Sequence, residues 1–343
     1  MARSDRLIDS ITIIDVAREA GVSYATVSRV INNKAHVKPE KREAVLRAMN
    51  RLGYVVNQQA RGLASGRSQV IGLLVQNLGN SWMGAIIRGI DEQLSTTGYD
   101  IMLYTTHRRK ESEMAYVGAI SRGMADGLLL ILPRDPQAYL ESLRRQRFPH
   151  VLIDHQGIDD QGAAVGVANW DGAYAATRYL IELGHRRIGF ITGNLEMASA
   201  TERLAGYQAA LTDHDIRSDP TLVVEGDFLQ PRGFTAGQIL LSLPERPTAL
   251  FASNDSMAFG VMEAARDRGL RIPDDLSVIG FDDIAEAATV HPPLTTVRQP
   301  LEQMGRTAAR MLLRLIEAPE TPVERIILAT ELIIRNSCQP PPT

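Results

Sequence analysis

Beyond Ser68 the chain alternates two hydrophobic rhythms. Short, nearly unbroken apolar runs have the length and composition of strands buried on both faces. They are VIGLLV (70–75), DIMLY (100–104), GLLLIL (127–132), HVLID (150–154), VGV (165–167), RIGFIT (187–192), LVVEG (222–226), ALFAS (249–253) and LSVIGF (276–281). Between most of them lie amphipathic stretches with helical spacing, at 82–97, 110–122, 171–183, 201–213, 230–243, 256–268 and 300–317. Strand and helix in regular alternation predict parallel sheets covered by helices. Nine such units exceed one open sheet of ordinary size, so two doubly wound α/β subdomains are expected.

The first 68 residues follow a different rhythm. Thr12 with Asp15 three residues on has the form of a capping box, and Ile13, Val16, Ala17 and Ala20 repeat at helical spacing behind it. Gly21 supplies a turn, and Ser23 caps a second helix whose inward face is Val27, Val30 and Ile31. Pro39 suits the first position of a third helix, with Ala44 or Val45, Ala48, Met49 and Leu52 as its apolar stripe and Gly53 as its stop. Two short helices joined by a tight turn, closed by a third, predict a helix-turn-helix domain.

That reading explains the polar row on the second helix. With its valines inward, Tyr24, Ala25, Ser28, Arg29 and Asn32 face outward. Ser23, Thr26, Ser28 and Asn32 can donate to phosphate oxygens, while Tyr24, Ala25 and Arg29 sit where a recognition helix meets base edges. Charge points the same way. Residues 1–68 hold 12 Lys/Arg against 6 Asp/Glu, a net +6, whereas the remainder holds 25 against 34, a net −9. A basic module on an acidic body predicts a polyanionic partner for the module alone. The segment NQQARGLASGRS (57–68) reads either as a flexible linker or as a short helix that needs a partner, in which case Leu63 is an apolar wedge for a base step.

Composition narrows the rest. No run approaches the roughly 18 apolar residues of a membrane span, and the opening MARSDRLIDSITIID lacks a secretory pattern. A cytoplasmic protein with no membrane partner is expected. A single cysteine, Cys338, excludes an internal disulfide and a cysteine metal cluster. No G-x-S-x-G, Walker loop or H-E-x-x-H is present, so no enzyme, cofactor or metal is expected. The acidic IDHQGIDDQG (153–162) reads as a solvated loop rather than a metal site.

Ligands of doubly wound sheets bind beyond the carboxyl ends of the strands. There the sequence places Asp154, Phe228, Asn254, Asp255, Asp282 and Asp283, with Arg203 in a following first turn. Carboxylates, an amide and a guanidinium suit a polyhydroxylated ligand, and Trp82 and Phe228 can cover its apolar face.

Several of these stretches resemble the LacI/GalR family of bacterial transcription repressors. They are TIIDVAREAGVSYATVSRVINN, VKPEKREAVLRAMNRLGYVVNQQARGLASGRS, NWDGAYAATRYLIELGHRRIGFITG, ERLAGY, NDSMAFG, LSVIGFDD and PPLTTVRQP, and the likeness runs from about Thr12 to Arg335. The resemblance implies a DNA-binding headpiece (11–57), a hinge helix or linker (58–68) and a body like periplasmic sugar-binding proteins (69–335). Within that body it implies an N-subdomain of about 69–166 plus 299–335, a C-subdomain of about 167–298, and a tail at 336–343. By position it adds His36, Asn57, Ala60, Arg61 and Leu63 to Thr12, Ser23, Tyr24, Ala25, Thr26, Ser28, Arg29 and Asn32 as DNA contacts. It groups Trp82, Asp154, Ser199, Arg203, Phe228, Asn254, Asp282 and Gln299 as an effector pocket. The implied function is a homodimeric repressor of a carbohydrate operon, bound to a palindromic operator under allosteric control by a sugar-like effector. The body alone also permits a solute-binding protein without a DNA role. Three departures matter: Ala25 stands where some members carry an amide, Ile131 stands where some carry a polar pocket residue, and the tail RNSCQPPPT lacks the leucine heptads of a tetramerising coiled coil.

Overall fold

The computed structural model describes residues 11–31, 37–54, 67–79, 81–107, 109–133, 136–154 and 162–342. The chain divides into two units, Met1–Ser68 and Gln69–Thr343.

In the first unit, helices α1 (Ile13–Glu19), α2 (Tyr24–Ile31) and α3 (Pro39–Leu52) enclose a small core of Val16, Ala17, Val27, Val30, Val45 and Ala48. Val45, not Ala44, is the buried member of the third stripe. Gly21 and Gly53 both adopt φ +64°, the left-handed conformation that ends a helix at least cost on glycine. Arg51 reaches Glu19 at 2.7 Å and links α3 to α1.

The second unit contains two six-stranded sheets. The first is ordered β11 (Arg325–Leu328), β5 (Ala164–Val167), β4 (His150–Ile153), β3 (Gly127–Ile131), β1 (Val70–Val75), β2 (Asp100–Thr105), and every pairing is parallel. The second is ordered β12 (Glu331–Ile333), β10 (Thr295–Arg298), β9 (Ser277–Asp282), β8 (Ala249–Ala252), β6 (Ile188–Ile191), β7 (Val223–Val224). It is parallel except that β12 runs antiparallel to β10. Around the first sheet lie α4 (Ser81–Leu94), α5 (Lys110–Ala119), α6 (Gln137–Arg145) and α11 (Leu301–Glu317). Around the second lie α7 (Asn169–Glu182), α8 (Ala198–Asp213), α9 (Gln230–Leu241) and α10 (Asp255–Asp267). All nine expected strands form, and strand order reverses between β1 and β3 and again between β6 and β8, the places where doubly wound sheets leave a crevice. No helix among the described residues is long and apolar enough to cross a membrane.

The end of the chain departs from expectation. Residues 299–335 were expected wholly in the N-subdomain, with 336–343 as a tail. Instead α11 and β11 serve the first sheet, and the chain then returns, so that Glu331–Ile333 pair with β10 of the second. Ser337 is fully buried there: it accepts from the Thr295 amide at 2.8 Å and donates to the Val278 carbonyl at 2.5 Å. The open backbone edge of β10 is the physical reason, because its amides and carbonyls need partners that only the returning segment supplies. Helix α6 is not among the expected helices; its nine residues put Tyr139, Leu140 and Leu143 inward over little more than two turns, too short a stretch for a clear helical repeat.

Candidate functional site

The helical unit presents one polar face. Thr12 and Asp15 close the capping box, with the Thr12 amide and hydroxyl donating to Asp15 Oδ2 at 3.0 and 2.6 Å. The hydroxyl bond from Thr12 is the main reason the Asp15 carboxyl sits below its ordinary value. Ser23 accepts from the Thr26 amide at 3.2 Å, and the two hydroxyls meet at 2.9 Å, so α2 begins on a side-chain cap. With Val27 and Val30 inward, Tyr24 is 56% exposed, Ala25 and Arg29 are exposed, and Thr26 and Ser28 are half-buried along the same face. Asn32, His36, Asn57, Ala60, Arg61 and Leu63 lie outside the described residues.

In the other unit, a cavity of about 200 Å³ opens between the carboxyl ends of the two sheets. Gln76 and Asn77 follow β1, Leu132 and Pro133 follow β3, Asp154 follows β4, Asn194 follows β6, Asp227 and Phe228 follow β7, Asn254 follows β8, and Asp282 ends β9. Trp82 enters from α4, and Ser199 and Arg203 from α8. Four of these residues hold left-handed backbone: Leu132 (φ 50°), Asp154 (φ 55°), Phe228 (φ 67°) and Asp282 (φ 119°). Each costs about 1–3 kcal/mol for a residue other than glycine, a strain that clusters where side chains are aimed at a site. The tip of the Phe228 ring lies against Gly193, where a Cβ would meet its Cζ at 1.9 Å.

Arg203, 3% exposed, is the centre of the polar network. Its Nε donates to Asn169 Oδ1 at 2.9 Å, Nη1 donates to the Ser253 carbonyl at 2.5 Å, and Asp282 Oδ1 lies 3.6 Å away. The guanidinium carbon stacks 3.8 Å from the centre of the Phe281 ring and 5.8 Å from that of Phe228. Gln299 donates to Asp282 Oδ1 at 2.6 Å. Asn254 caps α10, accepting from the Met257 amide at 2.9 Å while donating to the Phe228 carbonyl at 3.1 Å. Burial pushes Asp154 up to about 7 against the pull of Arg203, and it raises Asp282 in the same way. Oδ1 of Asp154, Oγ of Ser253 and Oε1 of Gln299 are buried with no partner among the described residues. Of these atoms only Asp154 Oδ1 belongs to a residue that lines the cavity, and the guanidinium there is already engaged.

Comparison with known proteins agrees with both units. Residues 12–57 match the family described as bacterial regulatory proteins, lacI family, and residues 177–338 match the periplasmic binding protein-like domain. Catabolite control protein A of Priestia megaterium is 36% identical over 304 residues, 88% of this chain and 92% of that protein. The HTH-type transcriptional repressor PurR of Escherichia coli O139:H28 is 38% identical over 330 residues, 95% and 96% of the two chains. The chain belongs to the LacI family. Among solved structures, a lac repressor dimer bound to operator and the anti-inducer ONPF matches with TM-score 0.85 and 31% identity over 96% of this chain and all of that one. A complex of the transcriptional regulator CelR with cellobiose matches with TM-score 0.74 and 35% identity, over 95% and 99%.

Seven of the eight residues grouped as an effector pocket line the cavity. The eighth, Gln299, stands behind it and touches Asp282. Ile131 is not a cavity wall: it is 1% exposed within the core of the first sheet, and Leu132 and Pro133 provide the apolar wall instead. Sequence reading missed Gln76, Asn77, Asn194 and Asp227, although each follows a strand, because single amides and acids after strands are common turn formers. It also missed Asn169, whose role as a brace for Arg203 has no local signal.

Proposed function

We propose that the protein is a repressor that binds a palindromic operator as a homodimer and releases or gains it when a neutral sugar-like effector fills the cleft. The observation that carries the ligand class is the buried Asp154 Oδ1, which has no partner among the described residues, at a cavity flanked by Trp82 and Phe228. Hydroxyls supply the donors that such acceptors need, and the sugar's apolar face covers the rings. Six of the expected DNA contacts, Ser23, Tyr24, Ala25, Thr26, Ser28 and Arg29, lie in or just before α2, beside the net +6 of the first 68 residues. Arg29 is the candidate for a bidentate guanine contact, and Ala25 offers only apolar contact, as to a thymine methyl. Trp82, Asp154, Ser199, Arg203, Phe228, Asn254, Asp282 and Gln299 are the proposed effector residues. Coupling requires that the effector bind the two arrangements of the sheets with different affinity.

The test is retardation of DNA fragments from the protein's own promoter region at low salt, with and without a panel of sugars. A specific complex whose affinity changes with one sugar supports the reading. No complex with any fragment, in either condition, defeats it. Thermal-shift screening of the same panel identifies the sugar, because a ligand bound to the folded state raises the melting temperature by mass action.

A further inference from the structure

Three buried carboxyl groups, Asp154, Asp255 and Asp282, surround one buried guanidinium, Arg203. Asp282 has that guanidinium at 3.6 Å and the Gln299 amide at 2.6 Å. Asp255 takes the Thr296 hydroxyl on Oδ1 at 2.5 Å and the Ile284 amide on Oδ2 at 2.9 Å. Asp154 Oδ1 has no donor among the described residues, yet the residue lines the cavity. Like charges cannot all ionise in so dry a place with one counter-charge among the described residues, so the cluster holds a proton. Burial and Asp282 raise Asp255 well above its ordinary value too, but Asp255 does not line the cavity; Asp154, the carboxyl least served by donors, does line it and is the one whose proton a ligand can displace.

We propose that a ligand enters the cleft in exchange for a proton held on Asp154. A hydroxyl of an uncharged polyol donates to the Asp154 carboxylate, and the proton that the carboxyl carried leaves to solvent. No covalent bond other than the acid O–H is broken. The ligand class rests on the sugar reading above, whereas the proton rests on the cleft geometry alone. Among the described residues the charged groups that act on Asp154 are Arg203 and Glu202, both on α8, and Asp282 at the end of β9; Asp255, at the start of α10, acts on Asp282, and Glu196 and Asp227 line the same cavity. Burial holds Asp154 at about 7, with Arg203 opposing and Glu202 reinforcing the rise. A hydroxyl donor stabilises the ionised form, so occupancy is full above that value and is lost as pH falls through it. Between pH 8 and pH 6 affinity falls about tenfold. Anionic sugars, such as sugar phosphates, add to the unbalanced negative charge and bind more weakly than their neutral parents.

The full chain is examined first without ligand, by the infrared carboxyl bands of wild type minus Asp154→Asn between pH 5 and pH 9. A protonated-carboxyl band with a midpoint near 7 is expected. D-Glucose, D-galactose, D-ribose and D-cellobiose are then titrated calorimetrically at pH 6 and 8, and at pH 7 in phosphate and in Tris, whose heats of ionisation differ. The expected result is about half a proton released per site at pH 7, where the carboxyl is half protonated, and a dissociation constant about tenfold weaker at pH 6 than at pH 8. The two-buffer comparison needs no variant, so it stands even where Asp154→Asn folds poorly. A carboxyl that ionises in the ordinary aspartate range overturns the proposal whether or not any sugar binds. Proton uptake, or binding independent of pH, overturns it as well. A midpoint near 7 with no sugar bound counts against the sugar reading and supports the proton site.

Discussion

Replacing Arg203 by methionine tests the polar centre of the cleft most directly. The substitution keeps an unbranched chain among Phe228, Phe281 and Asn169 but removes the guanidinium. What remains is Asp282, buried beside Gln299, with Asp154 and Asp255 close by and no counter-charge. The Asn169 and Ser253 acceptors lose their donors at the same stroke. Breaking a buried pair by deleting one partner costs about 3–5 kcal/mol, because the other charge is left in a dry site. In a body of this size about 2 °C of melting temperature accompanies each kcal/mol, so a drop of roughly 6–10 °C is expected at pH 8. The stranded carboxyls, already raised by burial, then rise further and hold protons that the unfolded chain releases. The variant therefore recovers as pH falls, and the gap to wild type narrows by pH 5. Urea unfolding of the full chain at both pH values, with and without Asp282→Asn, measures this. In the Asp282→Asn background the loss from Arg203→Met shrinks by at least about 1 kcal/mol. An undiminished loss there, with coupling below about 0.5 kcal/mol, refutes the assignment of Arg203 as the counter-charge of Asp282.

Gly193→Ala pushes the Phe228 ring off its seat and weakens any sugar that binds the cleft, by calorimetry, since the added Cβ and the ring cannot share the space. Ser337→Ala leaves the Thr295 amide without its acceptor in a fully buried place and costs about 1–3 kcal/mol in urea unfolding, although 336–343 reads as a tail. Arg29→Ala lowers specific operator affinity by about 1–3 kcal/mol in fluorescence anisotropy while leaving nonspecific binding nearly unchanged; equal losses on both DNAs assign Arg29 to the phosphates instead.

Where local chemistry decides, the sequence was a sufficient guide. The spacing of Val16, Val27, Val30, Val45 and Ala48 sets three helices and turns Tyr24, Ala25 and Arg29 outward, because a helix has one periodicity and one apolar stripe. Nine apolar runs become nine strands for the same kind of reason, and the residues that follow them become the rim of the cleft. Tertiary structure alone decided the remainder. No local pattern places Asn169 against Arg203 or Thr296 against Asp255, residues 34 and 41 positions apart, since those partners meet only when α7 docks against α8 and β10 against α10. Likewise β12 and Ser337 join the second sheet because β10 has an edge to satisfy, a need that exists only once the sheet is assembled. Whether a carboxyl such as Asp154 is a solvated cap or a buried acid holding its proton depends on how much water the folded walls exclude, and that is a property of the closed cleft rather than of the residue.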